Sequence, residues 1–204
     1  MKKTKNSFDY WYVRFGGIIA VRVVRRWAKI HRKTNFRVSL SRPIQPDEPT
    51  IVASNHQAML DPPAVFSSLS LPELWRMSPV KFMTWHKYYN GRFKLPMYTT
   101  GCYPSHGEGL TGTKAAIHYA NNSYRSFIFP EGKRIKNNIR TPAYSGISTV
   151  LDGLESPRLI LVRIDWEKRR TFFSRPKLYV HMFDAPDELD TANPDAIMDA
   201  IYNE

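Results

Sequence analysis

Two short segments of this 204-residue chain combine side chains that could do chemistry. In the first, ASNHQAMLDPP, His56 precedes Asp61 by five positions and follows a short apolar run. A carboxylate beside an imidazole fixes the tautomer and orientation of the ring, which leaves the other ring nitrogen free to take a proton from a hydroxyl. We therefore expect a His–Asp dyad just past the end of a strand. An alternative role for Asp61, which precedes Pro62, is the N-cap of a helix with proline at its first position, and both roles can coexist.

The second segment is SFIFPEGKR, in which an apolar strand breaks at Pro130 into an acid, a glycine and two cations. Gly132 lets the backbone turn tightly or approach a ligand closely. Lys133 and Arg134 supply hydrogen-bond donors that suit a phosphate group. The alternative is an ordinary turn between a strand and a loop, with its charges in solvent.

The elements that must position these segments alternate between strands and helices. Strands are predicted at Arg37–Leu40, Ile51–Ser54, Val80–Thr84, Met97–Tyr103, Ser126–Phe129, Leu159–Asp165 and Leu178–Phe183. Helices are predicted at Pro62–Leu69, Gly112–Asn121, Ser145–Leu151 and Pro194–Tyr202. Such alternation favours the α/β class, with a mixed sheet flanked by helices. Hydrophobic residues make up 42% of the chain, which is enough for a packed core and argues against disorder.

The net charge of +12 is concentrated near the N-terminus. Residues 1–46 contain twelve basic residues and one acid, so this segment carries +11 and the rest of the chain carries +1. We therefore divide the chain into a basic segment, residues 1–46, and a body, residues 47–204. The partner of such a segment should be a polyanion, either an anionic membrane surface or nucleic acid.

Residues 10–33 contain no proline and predict an amphipathic helix, whose basic side chains gather within about 120° of a helical wheel. Its longest uncharged run, Phe15–Val21, has seven residues, far fewer than the ~20 that span a bilayer. We therefore predict a helix that lies in the membrane interface, with its apolar side inward and its cations toward anionic headgroups. The alternative is a helix packed on its own domain with a solvated basic face.

The single cysteine, Cys102, cannot form an intramolecular disulfide, which fits a reducing compartment. We accordingly expect a peripheral protein at the cytoplasmic face of a membrane. The histidines and the cysteine do not show the spacing of metal ligands, so neither a metal nor a resident cofactor is expected.

Together the two segments resemble the glycerolipid acyltransferase family, which includes the 1-acylglycerol-3-phosphate acyltransferases. The resemblance rests on N-H-x4-D followed by F-P-E-G-x-R and covers roughly Ile51 to Trp166. It implies a membrane-bound enzyme of phospholipid biosynthesis that transfers a fatty acyl group from a thioester to a hydroxyl of a lysophospholipid. The donor co-substrate would be acyl-CoA or acyl-carrier protein, and lysophosphatidic acid is the first acceptor to consider.

By the same resemblance, His56 is the general base and Asp61 orients it. The residues implied to hold the acceptor's phosphate are Glu131, Gly132 and Arg134. The chain departs from the family where an arginine would bind phosphate, because Pro104, Ser105 and His106 stand there instead. Either Lys133 or Lys136 compensates, or the acceptor is a lipid other than lysophosphatidic acid. His106 is either an acceptor-site cation or proton carrier, or a solvated histidine of a loop.

Two other functions fit parts of the sequence. The same His–Asp site could use water as the acyl acceptor, as in a lysophospholipase or thioesterase, or a second lipid as the donor, as in a transacylase. The basic segment alone would suit a nucleic-acid-binding protein. No RNA-binding motif is recognised, however, and an apolar face opposite the cations suits lipid better than a phosphate backbone.

Overall fold

The structure is a computed structural model that describes residues 8–84, 94–105, 111–135, 139–167 and 176–204. Its strands are β1 (Lys33–Ser39), β2 (Thr50–Ser54), β3 (Val80–Thr84), β4 (Cys102–Pro104), β5 (Arg125–Ile128), β6 (Arg158–Trp166) and β7 (Lys177–Asp184). Its helices are α1 (Phe8–His31), α2 (Asp61–Phe66), α3 (Leu71–Met77), α4 (Lys94–Thr99), α5 (Gly112–Asn121), α6 (Gly146–Asp152) and α7 (Pro194–Tyr202).

The strands form one seven-stranded sheet in the order β1-β7-β6-β2-β5-β3-β4. Neighbouring strands are parallel except β6 and β7, which are antiparallel. The predicted mixed sheet is therefore confirmed. Strand β2 occupies the middle of this sheet and is buried along its whole length, as expected for a parallel strand covered on both faces.

The sheet separates two apolar cores, because successive side chains of a strand point to opposite faces. Val52 of β2 faces the core that contains Ile18 of α1 and Phe66 of α2. Ile51, its neighbour, faces the second core, with Ala116 of α5. Helices α6 and α7 complete that second layer through Ile147, Val150, Ile197 and Ile201.

Helix α1 and strand β1 belong to this packing. Val13, Ile18, Val21 and Ala28 recur at helical spacing and are buried, and β1 is the edge strand beside β7. The predicted boundary after residue 46 therefore does not coincide with a gap in the packing. On one face α1 packs against the rest of the chain, as the second interpretation of this helix expected.

The outer face of α1 is more apolar than an ordinary solvated face. Its exposed apolar side chains are Trp11, Phe15, Ile19, Val23, Trp27 and Ile30. Basic residues lie among them, including the exposed Arg22, Arg26 and Lys29. Within the described residues, no helix is both long enough and apolar enough to cross a bilayer.

Two elements differ in kind from the prediction, and β1 begins at Lys33, four residues before its predicted start. The run expected to form a strand from Met97 to Tyr103 begins as helix α4, and the strand starts only at Cys102. Gly101 separates them with a φ of +87°, and a Cβ there would lie 2.1 Å from the Val80 carbonyl oxygen. Helix α3 was missed, although its capping box of Ser70 and Glu73 is visible in the sequence as S-x-x-E.

Candidate active site

The C-terminal ends of strands β2 and β5 meet at one edge of the sheet, and each is followed by one of the predicted segments. The two strands are parallel neighbours, with Ala53 opposite Ile128. His56 follows β2 by two residues, and the loop 129–134 follows β5 directly. The sheet therefore brings together two segments that are far apart in the sequence.

His56 and Asp61 form the predicted dyad. The Nδ1 atom of His56 lies 2.8 Å from Oδ2 of Asp61, and Asp61 is completely buried. The same oxygen accepts backbone N–H groups from Gln57 at 2.6 Å and Ala58 at 2.8 Å. Because a carboxylate only accepts hydrogen bonds, Nδ1 carries a proton, and the Nε2 atom of the neutral ring keeps its lone pair.

The expected N-cap role of Asp61 is wrong. Asp61 is the first residue of α2, the N-cap position belongs to Leu60, and no side chain caps this helix. The carboxylate instead turns back toward the loop that precedes the helix, where the donors from residues 56–58 converge. The hydrogen bonds of Oδ2 of Asp61 therefore fix His56 and the loop of residues 56–58.

The imidazole of His56 is also held by its face. It stacks on the ring of Phe129, with centroids 3.8 Å apart and planes 18° apart. The side chain is nevertheless 18% exposed. One contact at the ring edge and one at the ring face fix its orientation, while solvent still reaches it.

The side chain of Glu131 holds the backbone of the same histidine. It is fully buried, and its Oε2 atom accepts the His56 backbone N–H at 2.8 Å while Oε1 accepts the Tyr202 hydroxyl at 2.9 Å. Burial raises the pKa of Glu131, although these two hydrogen bonds act in the opposite direction. Both carboxylate oxygens therefore have protein donors, and the carboxylate lies away from the surface.

Gly132 forms the turn that follows. Its φ is +63°, a conformation that glycine adopts without strain, and its N–H donates to the Phe129 carbonyl at 2.9 Å. A Cβ at this position would lie 2.7 Å from the ring of Tyr144. The predicted need for glycine thus has two local causes.

Lys133 and Arg134 are exposed in the same loop. The loop is tied to His56 on both sides of them, because Glu131 accepts the His56 N–H and the Ile135 N–H donates to the His56 carbonyl at 2.7 Å. Two cations therefore project from a loop bonded to the backbone of the histidine.

A sequence model of the acyltransferase family matches residues 35–157, which is more than half of the chain. The chain belongs to the acyltransferase family. The matched stretch includes His56, Asp61 and the loop 129–134. A search of curated protein sequences found no match to this acyltransferase.

A solved structure with a similar fold is the 1-acyl-sn-glycerophosphate (LPA) acyltransferase PlsC from Thermotoga maritima. The TM-score is 0.59 at 12% sequence identity, and the alignment covers 94% of this chain and 77% of that chain. At this identity the comparison supports the fold, which agrees with the mixed sheet flanked by helices.

Sequence reasoning missed Trp166 in this acyltransferase. Its indole N–H donates to Oδ1 of Asp61 at 2.5 Å, so both carboxylate oxygens have donors. Trp166 also lies beside the end of α1, because the Trp27 ring of that helix is 6.5 Å away and the guanidinium of Arg32, just past the helix, lies 4.7 Å from the Trp166 ring centroid. In the sequence, the position of Trp166 directly after the predicted strand Leu159–Asp165 was the only indication that it lies near the site.

The amides of Asn55 and Gln57 were also missed. Asn55 exchanges two hydrogen bonds of 2.8 Å with the backbone of Ile164. Gln57 donates to the Ile164 carbonyl at 2.7 Å and accepts the Trp166 backbone N–H at 3.1 Å. The residues on either side of His56 therefore extend the sheet by side-chain bonds to β6 and hold the histidine between them.

His106, predicted as an acceptor-site residue or a loop histidine, lies outside the described residues. Within the parts of the chain that are described, no group of three or more His, Cys, Asp or Glu side chains could hold a metal ion. On β4, burial raises the pKa of the Cys102 thiol, and Thr100 and Lys81 oppose this shift.

Proposed function

We propose that this acyltransferase transfers a fatty acyl group from acyl-CoA or acyl-carrier protein to a hydroxyl of a lysophospholipid, with lysophosphatidic acid as the first acceptor to test. The observation that carries the proposal is the 2.8 Å contact of His56 with the buried Asp61, on a ring that solvent still reaches. The Thermotoga maritima protein of similar fold is named as an LPA acyltransferase, which supports this choice of acceptor.

His56 acts as the general base in this proposal. Its Nε2 atom takes the proton of the acceptor hydroxyl while the hydroxyl oxygen attacks the thioester carbonyl. A C–O bond forms, the C–S bond breaks, and the imidazolium returns its proton to the departing thiolate. Because the thioester is already activated, the protein does not have to supply a nucleophile. The products are the acylated lipid and the free thiol.

The remaining site residues divide into positioning and binding roles. Asp61 holds the tautomer and orientation of His56, and Glu131 holds its backbone. We assign Glu131 this positioning role in place of direct contact with the acceptor, because both of its oxygens have protein donors. The exposed Lys133 and Arg134 are assigned to the acceptor's phosphate.

We further propose that the protein works at a membrane surface, where its lipid substrate lies. Apolar side chains of α1 that face solvent, such as Phe15, Ile19 and Val23, support this location. Trp75 continues the same surface, because its ring lies 5.9 Å from the ring of Phe15. Aromatic and aliphatic side chains mixed with cations are typical of helices that lie in the membrane interface.

The experiment is an acyl-transfer assay with purified protein, an acyl thioester and lysophosphatidic acid, in which thiol release and lipid products are both measured. His56→Ala should lower kcat by about 10²–10⁴-fold, since general-base catalysis contributes on that order. His118→Ala is the matched control, because His118 is an exposed histidine at the end of α5.

If His56→Ala kept most of the wild-type turnover, the assigned base would be wrong. Free fatty acid without acylated lipid would indicate a hydrolase instead. Acylation that requires a second acylated lipid in place of the thioester would indicate a transacylase.

A further inference from the structure

A groove lies between α1 and residues 69–74, which run from the α2–α3 connection into α3. Its volume is about 520 Å³. The residues that line it come from one stretch of α1 and from a leucine-rich stretch beyond α2: Val21, Arg22, Arg25, Arg26, Lys29, Ile30, Leu69, Leu71 and Leu74. None of them belongs to the acyl-transfer site described above.

The α1 wall of the groove is strongly cationic. Three arginines and one lysine line it, and none of the lining residues is acidic. Arg25 is fixed against the opposite wall, because its guanidinium donates to the Leu69 carbonyl at 2.7 Å. This bond uses one of the five N–H donors that a guanidinium carries. The side chains of Arg22, Arg26 and Lys29 are exposed at the rim.

The floor of the groove is apolar. Val21, Leu69 and Leu74 are buried there, while Ile30 and Leu71 are about half exposed at the edge. A free inorganic anion would contact the cations but would gain nothing from the leucines. The lining therefore suits a molecule with an anionic head and a hydrocarbon chain.

The groove is separate from the catalytic dyad. Asp61 is the first residue of α2, and the groove begins at Leu69, beyond the other end of that helix. A helix of six residues is about 9 Å long. A molecule in the groove would therefore bind the same protein without occupying the place of the acceptor at His56.

We propose that this groove binds one anionic phospholipid, with its phosphate among Arg22, Arg26 and Lys29 and part of an acyl chain along Leu69, Leu71 and Leu74. The lipid is bound and is not acylated there. The site makes the protein select membranes that contain anionic phospholipid, and it does so whether or not the acyl-transfer proposal holds.

The first test measures binding of the full chain to vesicles of phosphatidylcholine with and without about 30% phosphatidylglycerol. The groove variant combines Arg22→Gln, Arg26→Gln and Lys29→Gln. A matched control removes three exposed cations elsewhere through Lys33→Gln, Arg37→Gln and Lys114→Gln. Both variants lose three positive charges, so the change in net charge is the same in both. We expect the groove variant to lose about tenfold more affinity for the anionic vesicles than the control.

The second test separates a lipid site from an anion site. The full chain is titrated with dihexanoyl-phosphatidylglycerol below its micelle concentration, and separately with glycerol phosphate. We expect saturable one-to-one binding of the lipid, weaker binding of glycerol phosphate, and several-fold weaker lipid binding by Leu71→Gln. Ile139→Gln, which changes an exposed apolar residue outside the groove, should leave lipid binding intact.

Equal losses in the two triple variants would overturn the proposal, because they would show that only net charge matters. Equal binding of glycerol phosphate and lipid would also overturn it, as would tighter binding of single-stranded nucleic acid through the same residues. His56→Ala should bind lipid normally. The groove variant should keep its turnover on detergent-dispersed substrate, so failure of the groove and failure of the acyl-transfer mechanism give different results.

Discussion

The buried carboxylate of Asp61 lies within hydrogen-bond distance of four donors. One oxygen accepts His56 and two backbone N–H groups, and the other accepts the indole N–H of Trp166. A buried carboxylate with this many donors has its position strongly defined, and hydrogen bonds to a charged group contribute about 1.5–3 kcal/mol each. The orientation of His56 should therefore depend on Trp166 as well as on Asp61.

Trp166→Phe removes the indole donor and keeps an aromatic ring beside Arg32. We expect kcat to fall by roughly 10–100-fold with little change in KM, because the loss of about 1.5–3 kcal/mol affects the position of the base and not the binding of the acceptor. Steady-state kinetics measure both constants. Trp27→Phe is the control, since Trp27 lies beside Trp166 and is not among the four donors to Asp61. Equal effects of the two substitutions on kcat would contradict the role assigned to the indole N–H.

Glu131 provides a prediction about pH. Because burial raises the pKa of Glu131 above its usual 4.5, the folded chain keeps this proton at pH values where the unfolded chain has lost it. The stability that this proton provides is complete below the unfolded pKa and is lost as the pH rises through the higher folded pKa.

Glu131→Gln should make the free energy of unfolding depend less on pH, because glutamine has no proton to lose in this range. The glutamine oxygen can accept the His56 N–H while its NH₂ donates to the Tyr202 oxygen, so the fold should persist. Urea unfolding from roughly pH 4 to roughly pH 8 measures the effect. We expect the midpoint of the wild type to fall more steeply over the lower half of this range than that of the variant. Parallel pH profiles would show that Glu131 does not titrate as described.

Helix α1 illustrates how one element serves two surfaces. Its buried face packs against α2 and α4, while its exposed face carries apolar and basic side chains together. The adjacent glycines Gly16 and Gly17 lie on different sides of the helix, one against α4 and one in open space. A Cβ on Gly16 would lie 2.3 Å from the Thr99 carbonyl oxygen of α4, whereas a Cβ on Gly17 would meet nothing within 4 Å.

Gly16→Ala and Gly17→Ala should therefore change stability in opposite directions. Gly16→Ala forces α1 away from α4 and should lower the free energy of unfolding by about 1–3 kcal/mol, as overpacking does. Gly17→Ala removes a flexible residue from a helix interior and should raise it by about 0.5–1 kcal/mol. Urea unfolding of the two variants is the measurement. Effects of the same sign would mean that α1 does not approach α4 as closely as the structure shows.

At the scale of the whole molecule, the described part of the basic segment, residues 8–46, packs against the core. Residues 33–39 form the edge strand beside β7, and Ile18, Val21 and Ala28 belong to the same apolar cluster as Val52 of the central strand. Removing residues 1–46 would expose that cluster to water on one face of the sheet. The cations of residues 8–46 therefore lie on or beside a helix and a strand that pack against the rest of the chain.

A chain of residues 47–204 should consequently lack a cooperative unfolding transition, whereas the full chain should unfold in one step. Thermal melts followed by circular dichroism, together with amide dispersion in NMR spectra, test this expectation. A shortened chain that unfolded cooperatively with native-like spectra would instead support the boundary predicted after residue 46.

The sequence alone was enough to identify His56 and Asp61 as a His–Asp dyad and to place them just after a strand. The period-2 and period-3.6 patterns are local, so most strands and five of the helices were placed close to where they occur. His56 and Asp61 are five positions apart, and a single loop is enough to join them. The resemblance to the acyltransferase family rests on the same local motifs.

Only the tertiary structure decided which way the remaining side chains turn. Glu131 meets the His56 backbone across 75 positions, and Trp166 meets Asp61 across 105. No local pattern specifies such pairs, because the order of strands in the sheet brings them together. The same cause explains α1, where a helical wheel separates basic from apolar positions but cannot tell which apolar residues the rest of the chain will cover.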